Sequence, residues 1–171
     1  MAAATVFVSV EEYLRSSFSP DAEYVEGQIV ERVMGENDHS AWQAALCAWF
    51  QPQAVTGQIR VRPELRVQVA SDSFLVPDVT LLDRNRPTEP IATYPPIAVF
   101  EILSPGDALQ RVMKKCSRYE QMGIGTILVL DPDGPKYRYS KGILQPLEAR
   151  AFDLPGCSAR FDLDEIEKLV D

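Results

Sequence analysis

Cysteine, histidine and long apolar segments are all scarce in this sequence. Its 171 residues include three cysteines and one histidine, which argues against both the spacing of a Cys/His zinc site and a disulfide framework. No apolar run approaches the roughly 20 residues that a membrane-spanning helix needs. The N-terminal segment has no basic stretch and contains Glu11 and Glu12, so it does not resemble a secretory signal. The sequence therefore predicts a cytoplasmic protein with free thiols and no membrane partner.

Positive charge is also in short supply. The chain has 17 Lys and Arg residues against 25 Asp and Glu residues, a net charge of −8. This argues against a general nucleic-acid coat protein, because phosphate binding requires lysine and arginine. The charge is uneven, however, since residues 60–118 carry nine basic and seven acidic side chains while the rest is strongly acidic. The middle of the chain could face an anion, although a chance fluctuation explains the distribution equally well.

The overall composition is that of an ordinary globular protein. A hydrophobic content of 46% and a charged content of 25% exclude disorder, collagen and coiled coil as the main class. The length fits one domain over residues 1–171, and no repeat or long linker interrupts it. A short helix capped by Ser9, a hairpin turning at Glu26-Gly27 and a helix from residues 37–40 to about Trp49 come first. A buried strand at residues 97–103, a helix ending at Gly123 and a buried strand at residues 125–131 follow later, so we expect an α/β fold with a mixed sheet flanked by helices.

The most regular alternation lies between Gly57 and Ala70 and predicts one strand with a single buried face. Pro63 within it suggests a sheet edge or a bulge. The segment FLVPDVTLL (74–82) predicts a second strand that pairs back with the first. Three arginines of the first strand fall on the polar side: Arg60, Arg62 and Arg66. This basic stripe is a candidate DNA-contacting surface, unless a helix or a second subunit covers it and its arginines pair with acids such as Glu64.

Two carboxylates stand where burial makes them costly. Glu101 lies in the middle of the apolar strand IAVFEIL, and Asp78 follows Pro77 inside LVPDVTLL. If the two strands are neighbours, the carboxylates share one site and need a proton or a cation between them. Hard oxygen ligands suit Mg²⁺ or Mn²⁺. The alternative is two separate acids, each satisfied by backbone groups or by an arginine.

The helix after Glu101 offers a positive charge. On a helical wheel its buried stripe contains Leu109, Val112, Cys116 and Tyr119, and Lys115 lies at one edge of that stripe, whereas Lys114 points away. Lys115 could therefore reach the strand that carries Glu101, although a snorkelling lysine would give the same pattern. Arg111 lies one turn earlier on the same helix face as Lys115.

His39, the only histidine, begins a predicted helix and could act as a base, a phosphate ligand or a plain structural residue. Glu23 and Glu26 of the first hairpin are further candidate metal ligands, although a solvated hairpin explains acids there equally well.

These residues together resemble the PD-(D/E)XK nuclease pattern and, more closely, the Uma-type restriction endonucleases of bacteria. The matching segments, in the family's order, are EYVEG (Glu23 to Gly27), His39 at a helix start, PDV (Pro77 to Val79), FEILSP (Phe100 to Pro105), Lys115 with Tyr119 one turn later, and LDP (Leu130 to Pro132). The usual third motif places a lysine where this chain has Leu103, and the resemblance assigns that role to Lys115.

The resemblance implies a restriction-endonuclease-like core and metal-dependent hydrolysis of DNA phosphodiester bonds. It implies that Asp78 and Glu101 hold Mg²⁺ or Mn²⁺, that Lys115 is catalytic, and that His39 is a second-tier catalytic candidate. The expected nucleic-acid contacts are Arg60, Arg62, Arg66 and Arg111. A homodimer is expected because two strands have to be cut. The alternative function is a nuclease-like fold without catalysis that serves as a binding or assembly module.

Overall fold

The computed structural model of the protein describes residues 7–18 and 21–170. The helices are α1 (Val10–Arg15), α2 (Asn37–Phe50), α3 (Leu109–Met122) and α4 (Leu163–Glu167). The strands are β1 (Ala22–Val25), β2 (Gln28–Glu31), β3 (Ile59–Pro63), β4 (Val67–Ala70), β5 (Ser73–Leu75), β6 (Val79–Asp83), β7 (Ala98–Ile102), β8 (Thr126–Leu130), β9 (Lys136–Ser140), β10 (Ile143–Pro146), β11 (Ala151–Asp153) and β12 (Arg160–Asp162). The first six residues, part of the segment predicted to lack a secretory signal, lie outside the described residues.

Two sheets organise the chain. The larger has six strands in the order β10-β9-β8-β7-β6-β3, in which β7 and β8 are parallel and the other neighbours are antiparallel. The helix α3 connects β7 to β8, as the strand–helix–strand pattern predicted. The smaller sheet is antiparallel, with the order β2-β1-β5-β4. The predicted mixed α/β fold is therefore confirmed.

The large sheet is buried on both faces because helices cover it from opposite sides. The α2 face carries the larger apolar cluster, in which the ring of Phe100 lies 5.5 Å from that of Phe50 and 6.1 Å from that of Phe161. The α3 face carries a second cluster, which includes Val99, Val129 and the helix residue Cys116. Alternate residues of β7 therefore point to different helices, and this positions Glu101 towards α3.

The two long strands predicted between residues 57 and 82 are each broken in two, which corrects the sequence-based interpretation. Each break carries the chain from one sheet to the other, since β3 and β6 pair in the large sheet and β4 and β5 in the small one. Glu64 has a left-handed backbone, with φ of 49°, and its N–H donates to the carbonyl of Asp78. Pro63 and Pro77, which lack an N–H, lie at these breaks, where a continuous ladder would need donors.

The helix ends follow their predicted caps in part. Ser9 caps α1 by accepting from the N–H of Glu12, and Gly123 ends α3 in a left-handed conformation. The N-cap of α2 is Glu36, so His39 lies inside the first turn and not at the cap. Leu109, predicted to be buried, is 50% exposed because it begins α3 beyond the sheet. Among the residues described, no helix is both long enough and apolar enough to span a membrane.

The packing around Phe100 predicts a large loss of stability on truncation. Phe100→Ala removes a fully buried ring and should lower the free energy of unfolding by about 3–5 kcal/mol. The control is Leu109→Ala, at a position that the sequence predicts to be buried but that is exposed in the structure. This substitution should change the free energy of unfolding by less than about 0.5 kcal/mol. Urea denaturation followed by circular dichroism measures both values. Similar losses in the two variants would contradict the burial that the fold assigns to them.

Candidate active site

Neighbouring strands bring Asp78 and Glu101 together. Val79 of β6 pairs with Phe100 of β7 in antiparallel register, so the residue before Val79 lies beside the residue after Phe100. Asp78 Oδ2 also accepts the backbone N–H of Ile102, the residue after Glu101, at 2.7 Å. Both carboxylates are almost fully buried and line one cleft between the sheets and the start of α3. The structure therefore places the two acids in the same cleft.

A third carboxylate completes the inner wall of this cleft. Glu23 of β1 is buried, and its Oε1 accepts the backbone N–H of Val76 at 3.0 Å. The acid cleft is the cleft lined by Glu23, Asp78 and Glu101. Glu26, the other acid suggested in the first hairpin, does not reach it, because it lies at the hairpin turn and pairs with Arg118 at 2.9 Å.

Lys115 bridges two members of the acid cleft. Its Nζ lies 2.8 Å from Glu101 Oε2 and 2.8 Å from Glu23 Oε1. One turn further along α3, the Tyr119 hydroxyl donates to Glu101 Oε1 at 2.6 Å. The helical wheel therefore correctly selected Lys115, which faces the sheet, over Lys114, which is exposed. Both oxygens of Glu101 are held by one helix.

Asp78 is held by a different set of donors. The Arg32 guanidinium lies 2.9 Å from Asp78 Oδ1, and His39 Nε2 lies 3.2 Å from the same atom. The Gln43 side chain donates to the backbone carbonyl of Asp78 at 2.9 Å. The helix α2 thus supplies His39 and Gln43, one turn apart, to fix the position of Asp78 at the start of β6.

The two central acids differ in electrostatics. Burial, together with the negative charges of Asp78 and Glu23, raises the pKa of Glu101 to about 7. The positive charge of Lys115 opposes this rise. Burial would also raise the pKa of Asp78, but its hydrogen bond with His39 and the charge of Lys115 bring that pKa below its ordinary value. The same hydrogen bond raises the pKa of His39. The cleft therefore contains one firmly ionised carboxylate beside one that protonates near neutrality.

The arginines predicted to bind nucleic acid do not form one stripe. Arg66 lies outside β3, 3.6 Å from Asp21 and over the ring of Tyr13, because the chain leaves the large sheet after Pro63. Arg60 and Arg62 remain together on β3, where Arg60 donates to two backbone carbonyls. Arg111 lies at the rim of the acid cleft and pairs with Asp107 at 3.2 Å.

Arg32 is the site residue that the sequence analysis missed. It directly follows β2, in the segment that the sequence predicts to be part of the first hairpin. One signal was available, since Arg32 is the only Lys or Arg between Arg15 and Arg60. A single basic side chain in such an acidic stretch indicates a specific ionic partner.

The oxygens of the acid cleft suit a divalent cation in their chemistry. In the part of the chain that the structure describes, no group of three or more His, Cys, Asp or Glu side chains is arranged as a metal site. Asp78 and Glu101 nevertheless offer adjacent hard oxygens, and Mg²⁺ commonly binds through one or two carboxylates and completes its shell with water. The carboxylates of Asp78 and Glu101 therefore suit a divalent cation, provided that Arg32 and Lys115 release their oxygens.

The comparisons with known proteins agree with this geometry. A family model described as Uma2, "Putative restriction endonuclease", matches residues 10–149. The chain belongs to the Uma2 family. The match includes the acid cleft, Lys115 and His39.

A solved crystal structure shares this fold at low sequence identity. A crystal structure from Anabaena variabilis, described as a "putative nuclease belonging to DUF820", is 22% identical, with a TM-score of 0.77 over 96% of this chain and 99% of that one. A structure described as "DrdV-DNA complex" is 14% identical, with a TM-score of 0.45 over 80% of this chain and 12% of that one, too distant to support an argument. No curated protein matches the sequence.

The Tyr119 hydroxyl should stabilise the fold through Glu101. Tyr119→Phe leaves one oxygen of a buried carboxylate without its donor and should lower the free energy of unfolding by about 1–3 kcal/mol. Tyr137→Phe, at a half-buried position of β9, is the matched control and should be near neutral. Thermal and urea unfolding measure both changes. Equal stability of the two variants would mean that the Tyr119–Glu101 hydrogen bond contributes nothing.

Proposed function

We propose that this Uma2-family chain is a divalent-metal-dependent endonuclease that hydrolyses DNA phosphodiester bonds. The observation that carries the proposal is the convergence of Asp78, Glu101 and Lys115 in one buried cleft. Two acids and a lysine are the residues that the resemblance assigns to a PD-(D/E)XK site, and they come from three separate elements of the chain. Family membership and the nuclease-like fold support the same conclusion.

Asp78 and Glu101 would hold the metal, Mg²⁺ or Mn²⁺. When bound, such an ion acidifies a water molecule and polarises a phosphoryl oxygen. The protein's own contribution is to hold both carboxylates in place, Asp78 through His39 and Gln43, and Glu101 through Tyr119. Burial of these groups keeps the ligands in one geometry and reduces competition from bulk water.

Lys115 supplies the positive charge that phosphoryl transfer requires. Its ammonium group already lies at the floor of the cleft, 2.8 Å from Glu101. There it can stabilise negative charge that develops on the phosphate, or it can orient the attacking water. His39 is the second-tier candidate, because its hydrogen bond to Asp78 gives it a positioning role before any other.

The DNA path is proposed to follow the arginines of the large sheet and of the cleft. On the edge strand β3, Arg62 is exposed and Arg60 is half-buried, and Arg111 lies half-buried at the rim. Arg66 is less suited, because it is engaged with Asp21 and Tyr13. Contacts of this kind would bind phosphates of any sequence and position the duplex without reading bases. A homodimer that aligns two clefts for two strands is part of the same proposal.

One observation favours the alternative, a nuclease-like module without catalysis. Arg32 and Lys115 already neutralise the buried carboxylates, so the cleft is stable as a purely structural ion-pair network. The two functions make opposite predictions about divalent cations and about the importance of Lys115.

A divalent cation should stabilise the protein through the acid cleft. Mn²⁺ at a hundredfold excess over its dissociation constant should raise the free energy of unfolding by about 2.7 kcal/mol. Asp78→Asn should abolish the rise, whereas Asp133→Asn, at an exposed acid of a neighbouring pocket, should retain it. Differential scanning fluorimetry with and without Mn²⁺ measures the three proteins. A wild-type midpoint that does not move at millimolar Mn²⁺ would sink the metal-dependent function.

Lys115 and Lys114 should differ sharply in activity. Lys115→Met should lower the cleavage rate by roughly 10²–10³-fold, the typical effect of losing one group that stabilises transition-state charge, while Mn²⁺ binds no more weakly. Lys114→Met removes the same charge one residue earlier and should have little effect. Cleavage of a supercoiled plasmid under single-turnover conditions is the measurement. Equal losses would indicate general phosphate attraction in place of a specific role for Lys115.

A further inference from the structure

Arg32 occupies one oxygen of the candidate metal ligand Asp78. Its side chain is only 15% exposed and its guanidinium lies 2.9 Å from Asp78 Oδ1. The other oxygen, Oδ2, accepts the N–H of Ile102. Arg32 and His39 both lie against Oδ1, so Arg32 is one of the groups that limit the access of a cation to this oxygen.

A second carboxylate partner for the Arg32 guanidinium lies next to Asp78. Glu64 Oε1 is 3.5 Å from Arg32 Nη1, and the Glu64 side chain is 54% exposed. Its backbone is held in the left-handed conformation, which non-glycine residues adopt at a cost. The Glu64 N–H donates to the backbone carbonyl of Asp78, so the two residues lie at one corner of the fold. Arg32 contacts both carboxylates at once, and it can release Asp78 while keeping Glu64 by a side-chain movement alone.

We propose that Arg32 is a gating residue of the acid cleft: it pairs with both Asp78 and Glu64, and it releases Asp78 and keeps Glu64 when a divalent cation binds Asp78. The inference rests on the proposed function, since it concerns the same cation site. Arg32 is a positioning residue in this role, because it acts through Asp78. Glu64 is the residue that makes the movement possible, since it gives the displaced charge a partner in place of bulk water.

The gate should weaken the apparent affinity of the site. A cation binds only the fraction of molecules in which Asp78 is free, so the apparent dissociation constant is the intrinsic one divided by that fraction. Removal of Arg32 should raise this fraction, and removal of Glu64 should lower it. Opposite effects are also expected from the loss of charge alone, so each substitution is compared with one that removes the same charge elsewhere in the cleft.

The test is the affinity of the full chain for Mn²⁺ alone, measured by isothermal titration calorimetry without DNA. Arg32→Gln should tighten binding by about tenfold, whereas Arg111→Gln should tighten it by less than about threefold. Arg111 is the matched control because it also lines the cleft but pairs with Asp107 and not with Asp78. Equal changes in these two variants would mean that only the general loss of positive charge matters, and this would overturn the gate.

A second pair of variants covers the case in which Arg32→Gln does not fold. Glu64→Gln should weaken Mn²⁺ binding by more than Glu31→Gln does. Glu31→Gln is the matched control, because it removes the same charge from an exposed residue that lines the acid cleft. Equal weakening overturns the gate while leaving the proposed function intact, because the wild-type protein still binds Mn²⁺. Binding of Mn²⁺ to Arg32→Gln but not to the wild type would mean that the Arg32–Asp78 ion pair is a permanent block, and this would also overturn the gate. Absence of binding in every variant, Arg32→Gln included, would instead overturn the metal-dependent function on which the gate rests.

Discussion

The burial of three carboxylates in one cleft between the two larger sheets is the constraint on which the rest of this structure depends. Such groups are tolerated only where cations and hydrogen-bond donors surround them. The fold meets this demand from several directions, with Lys115 and Tyr119 from α3, His39 and Gln43 from α2, and Arg32 from the end of β2. Elements that are distant in sequence are thereby held together at one point by charge as well as by apolar packing.

This arrangement holds the acid cleft in one geometry. Each carboxylate is fixed by at least two contacts, which leaves little unsatisfied charge. Burial raises the pKa of Glu101. At Asp78 the effect of burial is outweighed by the hydrogen bond with His39 and the charge of Lys115, which bring its pKa below the ordinary value. The two neighbouring acids therefore differ in how strongly their surroundings favour the ionised form.

Periodicity predicted the helices, the parallel strand pair, the burial of Glu101 and the orientation of Lys115 towards the sheet, because these depend on local patterns. A carboxylate inside an apolar run and a lysine at the edge of an amphipathic stripe are visible without a structure. The two sheet-switching breaks were not visible, since the alternation of polar and apolar residues continues across Pro63 and Glu64 although the chain changes sheets there. Arg32 was missed for a similar reason: its partner Asp78 lies 46 residues away, and no local pattern encodes that contact. The hairpin of β11 and β12 was also missed, because its three-residue strands are too short for a periodic signal.

The two edges of the large sheet bear on how the molecule avoids unwanted self-association. An open edge strand presents unpaired backbone groups that can recruit a strand from another molecule. Here the edge strands β3 and β10 each end in a proline, Pro63 and Pro146, and β3 also carries Arg60 and Arg62. Prolines remove donors and like charges repel across a would-be edge-to-edge contact. Addition of strands from neighbouring molecules is therefore disfavoured at both ends of the sheet, and the fold can keep exposed edges without becoming a template for fibrous aggregation.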